Sequence, residues 1–360
     1  MSDFSFSIVC ITKFKLDSFA DGGSKRSVQI REILQNNGIP FLNDPLLLPK
    51  NASKAQLTRW ALRAVGFIRK HYPGRIRSLS AYVRLVKYYA LRIPIVLDKY
   101  EDQDVVFLWE NTTDRNMLYL LKATGHRVIG MPHNIESLVR SKSVGSLGAE
   151  VTNLKHCDSV FAISKEDTWL LRLFGLNAHY LPYYPPEEAE SFMLSIRQKR
   201  ESREARHGKV FALLGSATNI PTRSGMQSLV DFAAPRELSF DLLVAGFGTE
   251  SLRQVSHPQI SFLGTLSNED LESVLVKIDG MIIYQPPTTG ALTRIPEMLI
   301  AGIPVFANFD AARNYHNVDG VHVYSSMDEL FSELEGFNPS MPDLFNRDKE
   351  SESRFFSSLN

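Results

Sequence analysis

A repeated order restricts the fold of this chain more than any other feature: short apolar run, glycine-bearing turn, amphipathic stretch, second apolar run. Near the start "FSFSIVCIT" reads as a buried strand. After "FADGGSKRS", Val28, Ile30, Ile33 and Leu34 fall at helical spacing, and Gly38 in "NNGIPFL" supplies the stop before the next strand. The order returns in "VVFLWE", a helix expected over 114–124, Gly125 and "RVIGMPHN". It returns again in "DSVFAIS", a helix over 165–174, Gly175 and "AHYLPYYPP". Strands that alternate with helices of this length predict a parallel sheet covered on both faces.

The proline-dense "YLPYYPPEEAE" and the charged run that follows it, through "RQKRESREARHGK", mark a domain boundary. Beyond it the alternation restarts with "VFALLGS", a helix over 222–233, "FDLLVAGFG", "ISFLGTL" and a helix over 268–276. "GMIIYQP", a helix over 291–301 and "PVFANF" complete it. The expected class is α/β, with two Rossmann-like domains at 1–183 and 184–337, the first carrying a helical insert at 50–100. A chain of 360 residues is long enough for two cores. The polar, acidic tail 338–360 has two readings, a disordered end or a last helix that crosses back onto the first domain.

Composition excludes several classes. No apolar run approaches the roughly 18 residues that read as a membrane span, and "FSIVCI" is too short for a signal-peptide core. The two cysteines, Cys10 and Cys157, lack the Cys/His spacing of a zinc site, which fits a reduced, cytoplasmic setting. Two sequons, at Asn51 and Asn111, read as chance matches without a secretory signal. No metal is expected, because no Asp-x-Asp motif has a suitable setting.

Charge is zero overall but uneven: from Lys50 to Tyr100 there are twelve Lys or Arg against one acid, Asp98. Leu57, Trp60, Ala61, Ala64 and Ile68 form one stripe with Arg59, Arg63 and Lys70 opposite. Leu79, Val83, Val86 and Ala90 form another, with Arg77 and Arg84 away from it. Two readings follow. The stripes pack on the first domain and the cations are a solvated face, or the basic face meets an anionic membrane surface. Nucleic acid is not expected as a partner, since no recognised nucleic-acid module accompanies the charge.

"IIYQPPTTGALTRIPEMLIAGIPVFAN", residues 282–308, is the segment richest in chemistry. Ligands of open α/β sheets sit where strands end and loops lead into helices. Here the strand ends at Gln285, two prolines stiffen the turn, and Gly290 has no side chain to block a ligand. A helix from Ala291 would offer N–H groups to an anion, and Arg294 a cation able to grip phosphate oxygens. Glu297, three residues further and on the same side, suits the paired hydroxyls of a ribose. Phosphate near the tip and sugar hydroxyls behind describe a nucleoside diphosphate. The competing reading is an exposed Arg294–Glu297 ion pair beside an ordinary turn.

On these residues the C-terminal half resembles the donor-binding signature of GT-B glycosyltransferases of the retaining, family-four type. "VFALLGS", "LLVAGFGTESL" and "ISFLGTLSNEDLESVLVKIDG" fall in the family's order. In the first half "DGGSKRSVQIREILQNNGI" is similar to its glycine loop and first helix, "MPHNIES" to its histidine loop, and "CDSVFAISKED" to the segment before the linker. The resemblance covers about residues 5–325 and implies parallel sheets facing across a cleft that closes about a hinge at 182–186. It implies that Glu297 holds the ribose, that Arg294 and the amides of Gly290, Ala291, Leu292 and Thr293 hold diphosphate and sugar, and that Gly22 and Gly23 let backbone approach the same diphosphate. His133, with Asn134 beside it, would meet the sugar near the reacting carbon, although a histidine there can also simply cap a strand end. Ser216 and Arg223 stand in the loop that opens the second domain.

Two departures from the family matter. It usually has glutamates eight residues apart, and the position eight before Glu297 is Thr289, which can hydrogen-bond a sugar but supplies no charge. It also often carries an Arg and a Lys after the "GS" of the second domain, where "GSATNIPTRSG" offers only Arg223. The implied activity is transfer from a nucleotide-diphosphate sugar, a co-substrate, to a glycan or lipid-linked acceptor, with retention. The implied setting is cytoplasmic, peripheral on the membrane, in cell-surface polysaccharide or glycoconjugate synthesis. The alternatives are a sugar-nucleotide epimerase of the same fold and a binding protein that has lost turnover.

Overall fold

The computed structural model describes residues 6–12, 16–17, 21–43, 53–71, 76, 78–100, 102–110, 112, 114–140, 143–204 and 208–359. Both sequon asparagines, Asn51 and Asn111, and the cations Lys50, Arg75 and Arg77 lie outside them.

In chain order the first half runs β1 (Ser7–Ile11), α1 (Gly22–Asn36), β2 (Phe41–Asn43), α2 (Lys54–His71), α3 (Leu79–Tyr100), β3 (Val105–Trp109), α4 (Arg115–Ala123), β4 (Arg127–Gly130), α5 (Glu136–Arg140), α6 (Val144–Leu154), β5 (Ser159–Ala162), α7 (Lys165–Leu173) and β6 (Ala178–Tyr180). The second half runs α8 (Glu187–Glu201), β7 (Lys209–Leu214), α9 (Ile220–Ala233), β8 (Phe240–Ala245), β9 (Ile260–Gly264), α10 (Asn268–Lys277), β10 (Gly280–Ile283), α11 (Arg294–Ile300), β11 (Val305–Asn308), α12 (Phe309–Ala312), β12 (Val321–Tyr324), α13 (Met327–Gly336) and α14 (Lys349–Ser357). No helix among the described residues is long and apolar enough to cross a membrane.

The strands form two six-stranded sheets, in the orders β2-β1-β3-β4-β5-β6 and β12-β11-β10-β7-β8-β9, and the strand pairs are parallel. Helices cover both faces, which is why β3 and β10 are buried along their whole length and read as unbroken apolar runs. The strand order reverses between β1 and β3 in the first sheet and between β7 and β10 in the second. Loops diverge at such points and open a crevice beyond the strand ends, where doubly wound sheets bind ligands.

Two compact units result. One comprises Met1–Lys15, Ile30–Leu181 and Glu350–Asn360; the other comprises Leu16–Gln29 and Pro182–Lys349. The end of the chain is helical and belongs with the first sheet. Phe355 is fully buried and meets Phe161 edge to face at 5.0 Å, while Arg127 donates to the carbonyls of Ser358 and Leu359.

Three elements differ from the sequence expectation. The charged run after the proline cluster, read only as a domain boundary, begins with the 15-residue helix α8, with Ala189, Met193, Ile196 and Arg200 buried along one side. The stripe was hidden because Arg200 occupies an inward position: its Nη1 donates to the carbonyls of Leu275 and Ile278, which end α10. In the basic insert the buried face is Ala64, Phe67 and Ile68 of α2 with Tyr89, Ala90, Ile93, Val96 and Tyr100 of α3, so Leu57, Leu79 and Val83 of the expected stripes are exposed. The later turns of α3, from Tyr89 to Tyr100, take the inward position. The third difference, the start of α11, shapes the site.

Candidate functional site

Pro296 sets where α11 begins. A helix from Ala291 would press the proline ring on the carbonyl four residues back, at Leu292, and would lose that hydrogen bond. The helix therefore starts at Arg294, with Pro296 in its first turn, and residues 285–293 form a loop. Asn308 fixes the loop's entry by accepting from the Gln285 amide and donating to its carbonyl, both at 2.9 Å. Gly290 turns the loop with φ 81°, a left-handed conformation that suits glycine. Its carbonyl accepts from Arg313 Nη2.

Glu297 is buried, 3% exposed, and is the centre of the site. Lys25 Nζ lies 2.8 Å from each of its carboxylate oxygens, and the Tyr183 hydroxyl donates to Oε1 at 2.7 Å. Burial, and then the Glu297 charge, push the Tyr183 phenol well above its ordinary range, so it remains a donor. Lys25 reaches Glu297 because the first turn of α1 belongs to the same unit. That turn is held by Arg26 Nη1 and Gln29 Nε2, which donate to the Pro182 carbonyl at 2.9 and 3.0 Å. Gly22 makes the approach possible: a Cβ there would lie 2.9 Å from Thr293 Oγ1.

The other expected residues of this unit are placed as follows. Arg294 is half-buried, and its guanidinium donates to the Leu214 carbonyl and, at 3.5 Å, to Thr222 Oγ1; burial pulls it down to about 10, against the opposing pull of Glu297. It does not pair with Glu297 on the surface as the competing reading had it. The Gly23 amide donates to Asp21 Oδ1 at 2.9 Å, so a carboxylate of the chain already caps this helix start. Thr289, Leu292 and Ala291 are half-buried in the loop beside Thr293 and Gly290. Ser216 shares a 2.6 Å hydrogen bond with Thr218, and the exposed Arg223 donates to the Ser251 carbonyl at 3.2 Å.

His133 and Asn134 belong to the first unit, just beyond β4. His133 Nε2 stands 4.0 Å from Oε2 of Glu110, whose side chain is fully buried at the end of β3. The Cys10 thiol, at the end of β1, hydrogen-bonds the same carboxylate; burial first and Glu110 second push that thiol well up. Glu110, Cys10 and His133 thus gather at the reversal of strand order. Sequence reasoning missed Glu110, Lys25 and Tyr183. Their only local signals were a terminal acid in "VVFLWE", a cation beside the paired glycines, and a tyrosine among prolines.

No known protein family matches this sequence, and no curated protein matches it. Solved structures do match. OtsA is similar with a TM-score of 0.61 at 12% identity, over 99% of this chain and 99% of that one. Alpha,alpha-trehalose 6-phosphate synthase from Burkholderia multivorans gives 0.57 at 11% identity, over 98% and 96%. HepE from Anabaena, solved in complex with UDP-glucose, gives 0.57 at 13% identity, over 92% and 89%. With two parallel six-stranded sheets in two units, matched over nearly its whole length, this chain has the GT-B fold.

Proposed function

We propose that this chain is a glycosyltransferase that moves a sugar from a nucleotide-diphosphate donor to a glycan or lipid-linked acceptor, with retention, in the synthesis of cell-surface polysaccharide or glycoconjugate. The observation that carries the proposal is Glu297. This buried carboxylate, held by Lys25 and Tyr183, stands just past the loop at the strand-order reversal of the second sheet, the place where doubly wound sheets bind ligands and where a ribose would meet it. HepE, of the same fold, holds UDP-glucose.

The chemistry asks mainly for position and electrostatics. The leaving group is a nucleoside diphosphate, and amides of residues 290–293 would stabilise its growing charge. His133, whose Nε2 lies 4.0 Å from Glu110, would face the donor sugar, as the resemblance implies. Thr289 would offer a neutral hydroxyl where related sites use a carboxylate. The α2–α3 pair would place the protein at an anionic membrane surface: Leu62, next to Arg63 in α2, is 69% exposed, and Leu79 at the start of α3 is 79% exposed.

A calorimetric screen of UDP, GDP, ADP and their sugar conjugates tests the donor reading, followed by a release assay with the nucleotide sugar that binds. A transferase releases nucleoside diphosphate, an epimerase converts the free donor, and a protein without turnover does neither. Failure of every nucleotide to bind the folded protein rejects the proposal. Co-sedimentation with phosphatidylglycerol vesicles, lost in high salt, tests the membrane surface.

A further inference from the structure

We infer that Lys25 is the cation of the diphosphate subsite, and that it exchanges Glu297 for phosphate oxygens as the ribose hydroxyls take its place on that carboxylate. The inference rests on the donor reading above and adds a residue and a coupling to it.

Three observations converge on Lys25. Its first-turn neighbour Gly22 is in contact range of Thr293, which places the base of the lysine beside the loop whose amides are the diphosphate contacts proposed here. The arginines nearest that loop are committed to backbone: Arg294 to the Leu214 carbonyl, and Arg313 to the carbonyls of Gly290 and Asp310. Lys25, by contrast, is held by Glu297, the group proposed to take the ribose.

Its side chain is 14% exposed while that of Glu297 is 4% exposed, so the lysine forms the outer member of the pair. An ammonium on a flexible four-carbon stem can change partners without repacking, which a bidentate guanidinium cannot do as easily. Lys25 now donates to both Glu297 oxygens. Two vicinal hydroxyls can donate to the same two oxygens, and Tyr183 continues to donate to Oε1, so the carboxylate stays hydrogen-bonded throughout the exchange. No bond is made or broken covalently; Lys25 trades one anion for another, and the Glu297 carboxylate keeps hydrogen-bond donors before and after.

The consequence is a coupling between two parts of one ligand. A nucleoside alone competes with Lys25 for Glu297. A nucleoside diphosphate draws the lysine away and gains from both groups.

The test compares UDP with uridine by calorimetry and ligand-detected NMR in the wild type, Lys25→Met and Lys25→Arg. In Lys25→Met the affinity for UDP should fall about tenfold or more, the usual scale for a lost charge-assisted hydrogen bond, while that for uridine holds or rises. In Lys25→Arg, which keeps a cation on Glu297 and guards against misfolding of the methionine variant, UDP should weaken less than in Lys25→Met. Equal losses for UDP and uridine in both variants would mean a purely structural ion pair and would overturn the inference. If GDP or ADP is the nucleotide that binds in the screen above, it and its nucleoside replace UDP and uridine; a wild type that binds no nucleotide of that screen would reject the donor reading itself, and with it this inference. That failure is visible before any variant is made.

Discussion

Each unit places a buried carboxylate near the carboxyl edge of its sheet, and the two are neutralised differently. Glu297 meets an ammonium at 2.8 Å from both oxygens and a phenol at 2.7 Å. Glu110 meets a thiol and an imidazole whose nitrogen is 4.0 Å away. The first arrangement is a close ion pair with a further hydroxyl donor. The second sets a carboxylate against groups whose charge is conditional. One edge is built to hold charge, the other to place a proton-bearing ring.

Changing each carboxylate in turn sharpens or breaks that contrast. The largest effect should come from Glu297→Gln, which leaves the Lys25 ammonium largely enclosed without its counter-charge. Losing one member of a buried pair costs about 3–5 kcal/mol, and thermal unfolding should show the second unit melting roughly 10 °C lower. A change as small as that of an exposed pair would mean that water already screens the site. Gly290→Ala comes next: a side chain at φ 81° strains the loop by about 1–3 kcal/mol. Nucleotide affinity should fall more than stability, and calorimetry beside a denaturant melt reads both.

Glu110→Gln should be milder, about 1 kcal/mol or less, because an amide can still accept from the Cys10 thiol. A loss as large as that of Glu297→Gln would break the contrast. The smallest signal is a thiol titration of the native protein with DTNB at pH 8. Burial holds Cys10 well up and lifts Cys157 to about 12, so neither thiol should react quickly until denaturant is added. Rapid reaction of either in the native state would mean that its surroundings open.

Much of the fold could be read from local pattern, because alternating apolar runs and glycine stops are properties of neighbouring residues. The failures had local causes too. Pro296 was in plain view and forbids a helix from Ala291, yet the glycine before it suggested an earlier start. Arg200 hid the stripe of α8 because a cation on the inner face looks like surface. The site was legible only in part. Glu297 could be found from its distance to Arg294 and the loop. Its partners are another matter: Lys25 lies 272 residues away and Tyr183 lies 114 away, and no window of sequence joins them. The role read for Arg294 came from its place at the helix start and from the resemblance; which carbonyl its guanidinium meets, that of Leu214, is set by a contact 80 residues away.

Helix α1 is shared between the units, through Gln29 with one and from Ile30 with the other. In engineering terms the two units are not separable cassettes. A graft of residues 182–349 onto a foreign partner would carry Glu297 and Tyr183 but leave Lys25 behind, installing an uncompensated carboxylate at the heart of the transplant. Residues 16–29 have to travel with it, so a recombination that respects this chain needs four crossover points for its second unit, one of them inside α1 and one at the first residue of α14.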